Sequence, residues 1–293
     1  MTGIVAVIKP GGVTSFDVVA RIRRLLGEKK VGHSGTLDPM ATGVMLIMLG
    51  RATKFLPYLP SGDKKYEARV RLGVVTDTLD ITGKVIEERS FSVTPAEFES
   101  AAKSFLGKIK QMPPMYSAVS VDGQRLYKLA RKGIEVERPL REVEIKSIAC
   151  SPVNPEKGEY TLLVECSAGT YIRTLIGDIG EKLGCGAVMT ALCRTAANGF
   201  DISRAVSLEG EDAEIIRNIE NALVTVESVF DFCPSVSVSQ AQAVRFSNGG
   251  ELSAERINQC PGSGLARVYA PDGRFLGLGK REGESLKAEK LFF

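Results

Sequence analysis

The 293-residue sequence has no tryptophan, a single histidine and no closely spaced pair of cysteines. Its six cysteines are scattered from Cys150 to Cys260, and only His33 is available to join them as a metal ligand. Zinc sites need ligands in close pairs, so this spacing argues against a structural metal site. It predicts reduced and mostly buried thiols, because free cysteine is among the most buried residue types.

Long hydrophobic runs and nucleotide-binding motifs are also absent. The densest apolar stretch, Val44–Leu49, has the length of one strand and is too short to cross a membrane. Residues 1–6 do not combine a basic region with a long apolar one, so no secretory signal is indicated and the cytoplasm is the expected location. Neither a P-loop nor a G-x-G-x-x-G fingerprint occurs, so the sequence indicates no nucleotide cofactor.

Positive charge is concentrated in two segments, although the net charge is only +3. Residues 1–75 carry twelve Lys or Arg against five Asp or Glu, and residues 103–132 carry seven against Asp122 alone. An acidic stretch that includes Asp77 and Asp80 lies between them. One basic face suits a polyanion such as nucleic acid, with contacts that weaken in salt. The charge distribution alone does not distinguish a nucleic-acid-binding face from an ordinary lysine-rich surface.

Hydrophobic patterning predicts helices and strands in an irregular order. Capping signals and helical spacing predict helices that begin at Thr14 and Thr94, and further helices over 124–132, 170–183 and 212–223. Buried or alternating runs predict strands over 3–10, 44–49, 66–72, 142–149 and 160–167, and residues 28–43 are predicted to be a loop. This mixture predicts an α+β fold with a mixed, mainly antiparallel central sheet flanked by helices.

A domain boundary is predicted near residues 225–235. Beyond it, the pattern predicts a helix over 240–247 and two strands that flank the hairpin turn Pro271-Asp272-Gly273. We therefore expect a catalytic domain over residues 1–230 and a small, mostly β domain over residues 231–293.

The segment GHSGTLDPMATG, residues 32–43, combines three glycines, one proline and one carboxylate before a buried strand. Glycines let a backbone approach a ligand closely. Pro39 favours an extended conformation for Asp38, and a carboxylate held on a stiff loop beside a sheet can act as a nucleophile. A turn capped by Asp38 is the structural alternative.

The whole string resembles the catalytic loop of the TruB family of tRNA pseudouridine synthases, where G-H-x-G-T-L-D-P-x-A-T-G carries the essential aspartate. Four further segments resemble family signatures in the same order, and the C-terminal part, with Asn248-Gly249 and residues 275–279, is similar to the PUA RNA-binding module. These four segments are KKYEA (64–68), QMPPMYSA (111–118), CSAGTYIRTL (166–175) and ALCRT (191–195). Ser120 and Ala168 stand where the family often has lysine, which puts specific phosphate contacts in doubt.

The resemblance implies a role for each candidate residue. Asp38 would attack the nucleotide at uracil C6 or ribose C1′, and the sequence does not choose between them. Arg173 would keep the carboxylate ionised, and Tyr66 would lie against the uracil and help to remove its C5 proton. The remaining candidates are Tyr171 and Leu192 as the apolar walls, His33 as an RNA contact, and Lys54, just after the strand 44–49, as a phosphate contact.

Pseudouridine formation requires neither cofactor nor metal. The resemblance implies transfer RNA, through its T-arm stem-loop, as the substrate of a stand-alone enzyme without an obligate protein partner, and it implies no membrane association. Three alternatives remain open: an RNA-guided synthase of the dyskerin type, a non-catalytic RNA-binding or RNA-folding protein, and a glycosidase. A glycosidase usually needs a second carboxylate, and none beside Asp38 is evident in the sequence.

Overall fold

The computed structural model describes residues 1–60, 62–117, 119–121 and 123–293. Ala118, from the segment 111–118, and Asp122, from the second basic segment, lie outside the described residues.

The helices are α1 (Ser15–Leu26), α2 (Pro95–Lys103), α3 (Leu126–Ala130), α4 (Ile172–Lys182), α5 (Asp212–Ala222) and α6 (Gln240–Ser247). The strands are β1 (Gly3–Lys9), β2 (Val31–Ser34), β3 (Thr42–Leu49), β4 (Lys64–Leu72), β5 (Val74–Thr76), β6 (Val85–Glu88), β7 (Gly107–Gln111), β8 (Ser120–Val121), β9 (Gln124–Arg125), β10 (Arg141–Asn154), β11 (Glu159–Cys166), β12 (Ala187–Ala197), β13 (Phe200–Asp201), β14 (Val206–Ser207), β15 (Ser235–Ser237), β16 (Leu252–Ser253), β17 (Gly264–Tyr269), β18 (Phe275–Glu282) and β19 (Ser285–Leu291). Short 3-10 helices span Gly50–Tyr58, Pro155–Lys157, Ile202–Arg204, Glu227–Phe230 and Ala254–Arg256.

A ten-stranded sheet forms the centre of the described chain. Its main path runs β14-β1-β3-β12-β4-β11-β10-β7, with β2 paired to β3 and β13 paired to β12. The β1–β14 and β3–β12 pairs are parallel, and the other pairs are antiparallel. The predicted α+β class with a mixed, mainly antiparallel sheet is therefore confirmed.

The helix starts predicted from local capping signals are confirmed. Thr14 and Asp17 form a capping box at the start of α1, and Thr94 and Glu97 form another at the start of α2. Each pair satisfies backbone N–H groups that the first helical turn leaves without partners. Gly27 ends α1 in the left-handed conformation, which glycine adopts without strain.

The prediction of an unbroken loop over residues 28–43 is wrong, because β2 lies within it. Val31–Ser34 pairs with Leu46–Leu49 of β3, and four residues are too few to show strand periodicity in the sequence. The helix predicted over 124–132 is shorter than expected, since residues 124–125 form β9 and α3 spans residues 126–130. β2 forms through pairing with a strand twelve to eighteen residues away, whereas β9 pairs with β8 immediately before it.

Gly43 lets β3 and β12 come unusually close. Its φ is +105°, and a Cβ atom built there would lie 2.2 Å from the main-chain oxygen of Arg194. No other residue type fits this space or this conformation without strain. The close approach sets the loop 35–41, which leads into β3, beside β12 at the middle of the sheet.

A five-stranded sheet, in the order β15-β17-β18-β19-β16, forms the C-terminal part of the chain. It packs against the central sheet through buried aromatic rings, with Phe55 lying 6.1 Å from the ring centroids of both Phe230 and Phe275. No helix within the described ranges is long and apolar enough to cross a membrane. All six cysteines are free, and Cys166, Cys185 and Cys233 are buried.

Candidate active site

One cavity brings together five of the seven candidate residues. It has a volume of about 340 Å³, and Asp38, Tyr66, Tyr171, Arg173 and Leu192 all line it. They come from the loop before β3, from the paired strands β4 and β12, and from the start of α4. Residues far apart in the sequence thus converge on the point where the loop crosses the centre of the sheet.

Asp38 and Arg173 form a two-point ion pair on the wall of this cavity. The Arg173 Nε lies 3.0 Å from Asp38 Oδ2, and its Nη2 donates to Asp38 Oδ1 at 3.1 Å. Arg173 is almost fully buried, while a third of the Asp38 side chain remains exposed. The parallel geometry suits guanidinium and carboxylate, and it leaves the carboxylate accessible from the cavity.

Asp80 holds the other side of the same guanidinium. Its Oδ2 lies 3.4 Å from Arg173 Nη1, and its Oδ1 accepts hydrogen bonds from Thr78 and Thr82. The carbonyl of Tyr116 accepts from Arg173 Nη2 at 2.9 Å. Arg173 therefore has its orientation fixed from three directions, and Asp80 is a buried carboxylate whose oxygens are already engaged.

Buried side chains fix the backbone on both sides of Asp38. Lys9 is fully buried, and its Nζ donates to the carbonyls of Pro39 at 3.1 Å and Ala41 at 2.6 Å. Ser15, at the start of α1, exchanges hydrogen bonds with the Leu37 backbone through its hydroxyl. The carboxylate is thus presented by a loop with little freedom, which preorganises it for reaction.

Opposing influences act on the acidity of Asp38. Burial raises the pKa of its carboxyl above the ordinary value, and the negative charge of Asp80 adds to this rise. The positive charge of Arg173 is the main influence in the other direction, followed by Lys9. The pKa of Asp38 remains raised on balance, so the ionised form depends on Arg173.

The rest of the cavity wall combines apolar surface with a few polar groups. Gln111 is buried and holds the Tyr171 backbone through two hydrogen bonds, of 3.0 and 3.3 Å. Ser117 is 6% exposed and lines the cavity, and its Oγ has no hydrogen-bond partner in the described chain. Lys64 also lines the cavity, and burial lowers the pKa of its amine.

His33 and Lys54 lie outside the cavity lining. The ring of His33 packs edge-to-face against Phe16 at 5.7 Å, and Phe16 is 73% exposed. Burial, followed by the charge of Arg194, lowers the pKa of His33. Lys54 donates a hydrogen bond to the main-chain oxygen of Phe293.

A larger cavity, of about 570 Å³, lies elsewhere and lacks comparable chemistry. Among its lining residues, which include Leu46, Asn198 and Phe200, Arg204 is the one ionisable side chain. Size alone therefore does not identify the site, because the Asp38 cavity combines a carboxylate with buried cations and this larger cavity does not.

Sequence reasoning missed Lys9, Asp80, Ser117 and Arg194 as parts of this site. Asp80 was identified from the sequence only as part of an acidic stretch, and Lys9 lies near the end of the strand predicted over residues 3–10. A signal for Asp80 was present in Thr78-Leu79-Asp80-Ile81-Thr82, because threonines two residues to either side of an aspartate suit a side-chain hydrogen-bonded turn.

Comparison with known families and proteins finds matches along most of the chain. Residues 23–172 match the TruB family pseudouridylate synthase N-terminal domain, and residues 173–229 match the tRNA pseudouridylate synthase B C-terminal domain. Residues 234–292 match the family described as pseudouridine synthase II TruB, C-terminal.

Individual proteins agree with the family matches. A protein named tRNA pseudouridine synthase B from Clostridium perfringens is 42% identical over 294 residues, covering 99% of each chain. One of the same name from Azoarcus sp. is 43% identical over 289 residues, covering 99% of this chain and 94% of the relative. Among solved structures, a chain of a Cbf5-Nop10-Gar1 complex is similar with a TM-score of 0.74 and 26% identity, covering 100% of this chain and 85% of that one.

Proposed function

Because the chain belongs to the TruB family of pseudouridylate synthases, we propose that Asp38 is the nucleophile with which it converts a uridine of transfer RNA into pseudouridine. The chain is a tRNA pseudouridine synthase, an isomerase. The observation that supports the role of Asp38 is its two-point ion pair with the buried Arg173 in a cavity lined by Tyr66.

The reaction rearranges bonds without water or a redox step. The bond from ribose C1′ to uracil N1 breaks, a bond from C1′ to C5 forms, and one proton leaves C5 while N1 gains one. Asp38 forms a covalent bond either to uracil C6 or to ribose C1′. That bond retains the fragment released by cleavage of the C1′–N1 bond while the base turns. Arg173 keeps the carboxylate charged before the attack and accepts it again when it leaves.

The target base must leave its helical stack to reach Asp38, as in other enzymes that act on a base. We assign Tyr66 to the face of the uracil, with its hydroxyl near C5, and Tyr171 and Leu192 to the apolar walls. His33 and Lys54 lie outside the cavity, and we assign them contacts to RNA beyond the target nucleotide.

We assign the T-loop uridine at position 55 of the T-arm as the target, in the cytoplasm and without an obligate protein partner. Residues 1–230 would supply the catalytic domain and residues 231–293 a PUA-like domain for RNA binding. The separate five-stranded sheet and its exposed lysines, such as Lys280, support this division, because phosphate contacts come mainly from Lys and Arg.

An RNA-guided mode is less favoured than a stand-alone enzyme, and a direct assay distinguishes these two modes. The relatives at 42–43% identity are named tRNA pseudouridine synthase B, whereas the Cbf5 chain is 26% identical. The purified chain alone should form pseudouridine in an unmodified T-arm stem-loop, mapped by mass spectrometry. A requirement for added guide RNA would contradict the stand-alone proposal, and tight binding without product would favour a non-catalytic RNA-binding protein.

The glycosidase alternative is also less favoured. It needs a second carboxyl group that is free to act as an acid or base. Asp80 shares Arg173 with Asp38, but it is 4% exposed and its oxygens are occupied by Thr78, Thr82 and Arg173.

Asp80→Asn should slow pseudouridine formation by about 10- to 100-fold. The substitution removes the charge that holds the far side of Arg173 while keeping the size of the side chain, so the guanidinium loses part of its orientation toward Asp38. Single-turnover rates on the stem-loop measure the effect. Asp77→Asn is the matched control, because Asp77 is an exposed carboxylate in the same segment, and equal rates for both variants would contradict the role of Asp80.

Tyr66→Phe should slow the reaction by about 10²- to 10⁴-fold, the range typical of removing a general acid or base. Stacking against the base is retained, and the hydroxyl near C5 is lost. Release of tritium from 5-tritiated uridine measures the step directly. An unchanged rate would leave Tyr66 with a stacking role alone.

A further inference from the structure

Arg194 is a buried cation without a carboxylate partner in the described part of the chain. It is 0% exposed and is the largest fully buried side chain. Its Nε donates to the carbonyl of Val44 at 2.7 Å and its Nη2 to the carbonyl of Gly35 at 3.2 Å, and the described chain contains no ion pair that involves it. Burying a charge is costly unless it is paired. The burial of this guanidinium without a carboxylate partner therefore calls for a functional explanation.

The position of Arg194 gives it two neighbours in the active site. It lies opposite Tyr66 in the register between β12 and β4, and Tyr66 is buried and lines the cavity. Gly35, which accepts its second hydrogen bond, also lines the cavity at the start of the Asp38 loop. The guanidinium thus lies behind the cavity wall, on the strand beside Tyr66, and is bonded to the loop that carries Asp38.

Burial and three charged or ionisable neighbours act on the pKa of the Tyr66 hydroxyl. Burial raises the pKa of its hydroxyl, and the positive charge of Arg194, directly opposite on the neighbouring strand, acts in the other direction. Cys166 on β11 and Asp38 on the loop both raise it further. Among these groups, Arg194 alone favours negative charge on the Tyr66 oxygen.

We propose that Arg194, fixed by the carbonyls of Val44 and Gly35 on the strand beside Tyr66, acts through Tyr66 as a positioning residue whose charge stabilises the phenolate that takes the C5 proton. This inference rests on the proposed function. The phenolate oxygen bonds to the proton, the C5–H bond breaks, and its electron pair stays in the uracil ring as it regains its conjugation. N1 takes one proton from solvent, and the phenol returns one to solvent, so protons and charge balance.

Two variants distinguish the effect of the Arg194 charge from the effect of its hydrogen bonds to Val44 and Gly35. Arg194→Gln removes the charge, so the limb of the rate–pH profile that rises with Tyr66 ionisation should move to higher pH. Turnover at neutral pH should fall by about 10-fold or more. Proton removal from C5 then limits the rate, so the isotope effect with 5-deuterouridine should exceed the wild-type value. Arg194→Lys keeps a charge and should keep this limb close to its wild-type position.

Arg89→Met serves as the control for general damage. Arg89 is a partly buried arginine paired with Glu87 and Glu181, so its loss should lower thermal stability and leave both the isotope effect and the pH limb unchanged. An Arg194→Gln protein with wild-type isotope effect and pH limb would overturn the inference. If wild type makes pseudouridine in that same experiment, the proposed function stands regardless.

If Arg194→Gln does not fold, Arg194→Lys decides alone. A lysine ammonium is a point charge without the planar fork that binds the carbonyls of Val44 and Gly35, so its position relative to Tyr66 is less well fixed. Its isotope effect should therefore still exceed the wild-type value, and an unchanged isotope effect would overturn the proposal.

Discussion

Asp38→Asn is expected to form no detectable pseudouridine, with turnover lowered by at least about 10⁴-fold. Asparagine keeps the size of the side chain and a hydrogen-bond acceptor for Arg173, but its amide oxygen is too weak a nucleophile to form the covalent intermediate. Because a third of the carboxylate side chain faces the cavity and Asp80 still pairs with Arg173, the variant should fold normally. It should also bind the T-arm stem-loop with nearly unchanged affinity.

Tritium release from 5-tritiated uridine and nucleoside mass spectrometry both measure this loss, and a filter-binding titration at fixed salt measures affinity. Asp212→Asn is the matched control, since Asp212 is an exposed carboxylate in the first turn of α5, and its turnover should equal that of the wild type. Measurable turnover by Asp38→Asn would remove Asp38 from the nucleophile role. Loss of binding together with activity would instead indicate damage to the loop.

Arg173→Met should lower turnover by about 10³-fold or more and the free energy of unfolding by about 3 kcal/mol, because breaking a buried ion pair leaves uncompensated charge. Asp38 and Asp80 would then share a buried space without a cation. The carbonyls of Thr78 and Tyr116 would lose a donor as well. Methionine fills most of the space, so the loss reports charge and hydrogen bonding more than volume.

The pH dependence identifies the cause of this loss. Arg173 is the main group that lowers the pKa of Asp38, so its removal raises that pKa further. The reactive form is the carboxylate, and activity is lost as pH falls through the pKa of the folded protein. The acid limb of the rate–pH profile should therefore move to higher pH in Arg173→Met.

A double variant tests the electrostatic explanation of the stability loss. Combining Arg173→Met with Asp80→Asn removes one of the two opposed carboxylates, so part of the lost stability should return. Additive losses in chemical denaturation would contradict the idea that repulsion between Asp38 and Asp80 destabilises the single variant.

Local signals predicted the parts of the fold that depend on neighbouring residues. The capping boxes at Thr14 and Thr94 operate within one helical turn, so the starts of α1 and α2 were predictable. β2 was not, because its four residues become a strand only through pairing with residues of β3 that lie twelve to eighteen positions further along the chain. β9, at the start of the predicted helix 124–132, was missed for a different reason: it pairs with β8 immediately before it, and strands of two residues are too short to show periodicity.

The candidate site divides in the same way. Asp38, Tyr66 and Arg173 lie in distinctive segments, so their resemblance to a family identified them, and the cavity contains all three. Lys9 and Arg194 matter because each is wholly buried and points its cation at distant carbonyls. No spacing within the sequence encodes such a contact, since the partners are brought together by the strand order of the central sheet.

The aromatic cluster between the two sheets determines which experiments on the C-terminal part can be interpreted. Phe55 and Phe230 are wholly buried, and Phe275 covers part of the same cluster from β18. Cutting the chain at residue 231 would expose these rings to water and cause aggregation. A truncated protein therefore cannot be used to measure how much the C-terminal part contributes to RNA binding. Charge reversal at an outward-facing cation such as Lys280 leaves the cluster intact and tests the contribution of that surface cleanly.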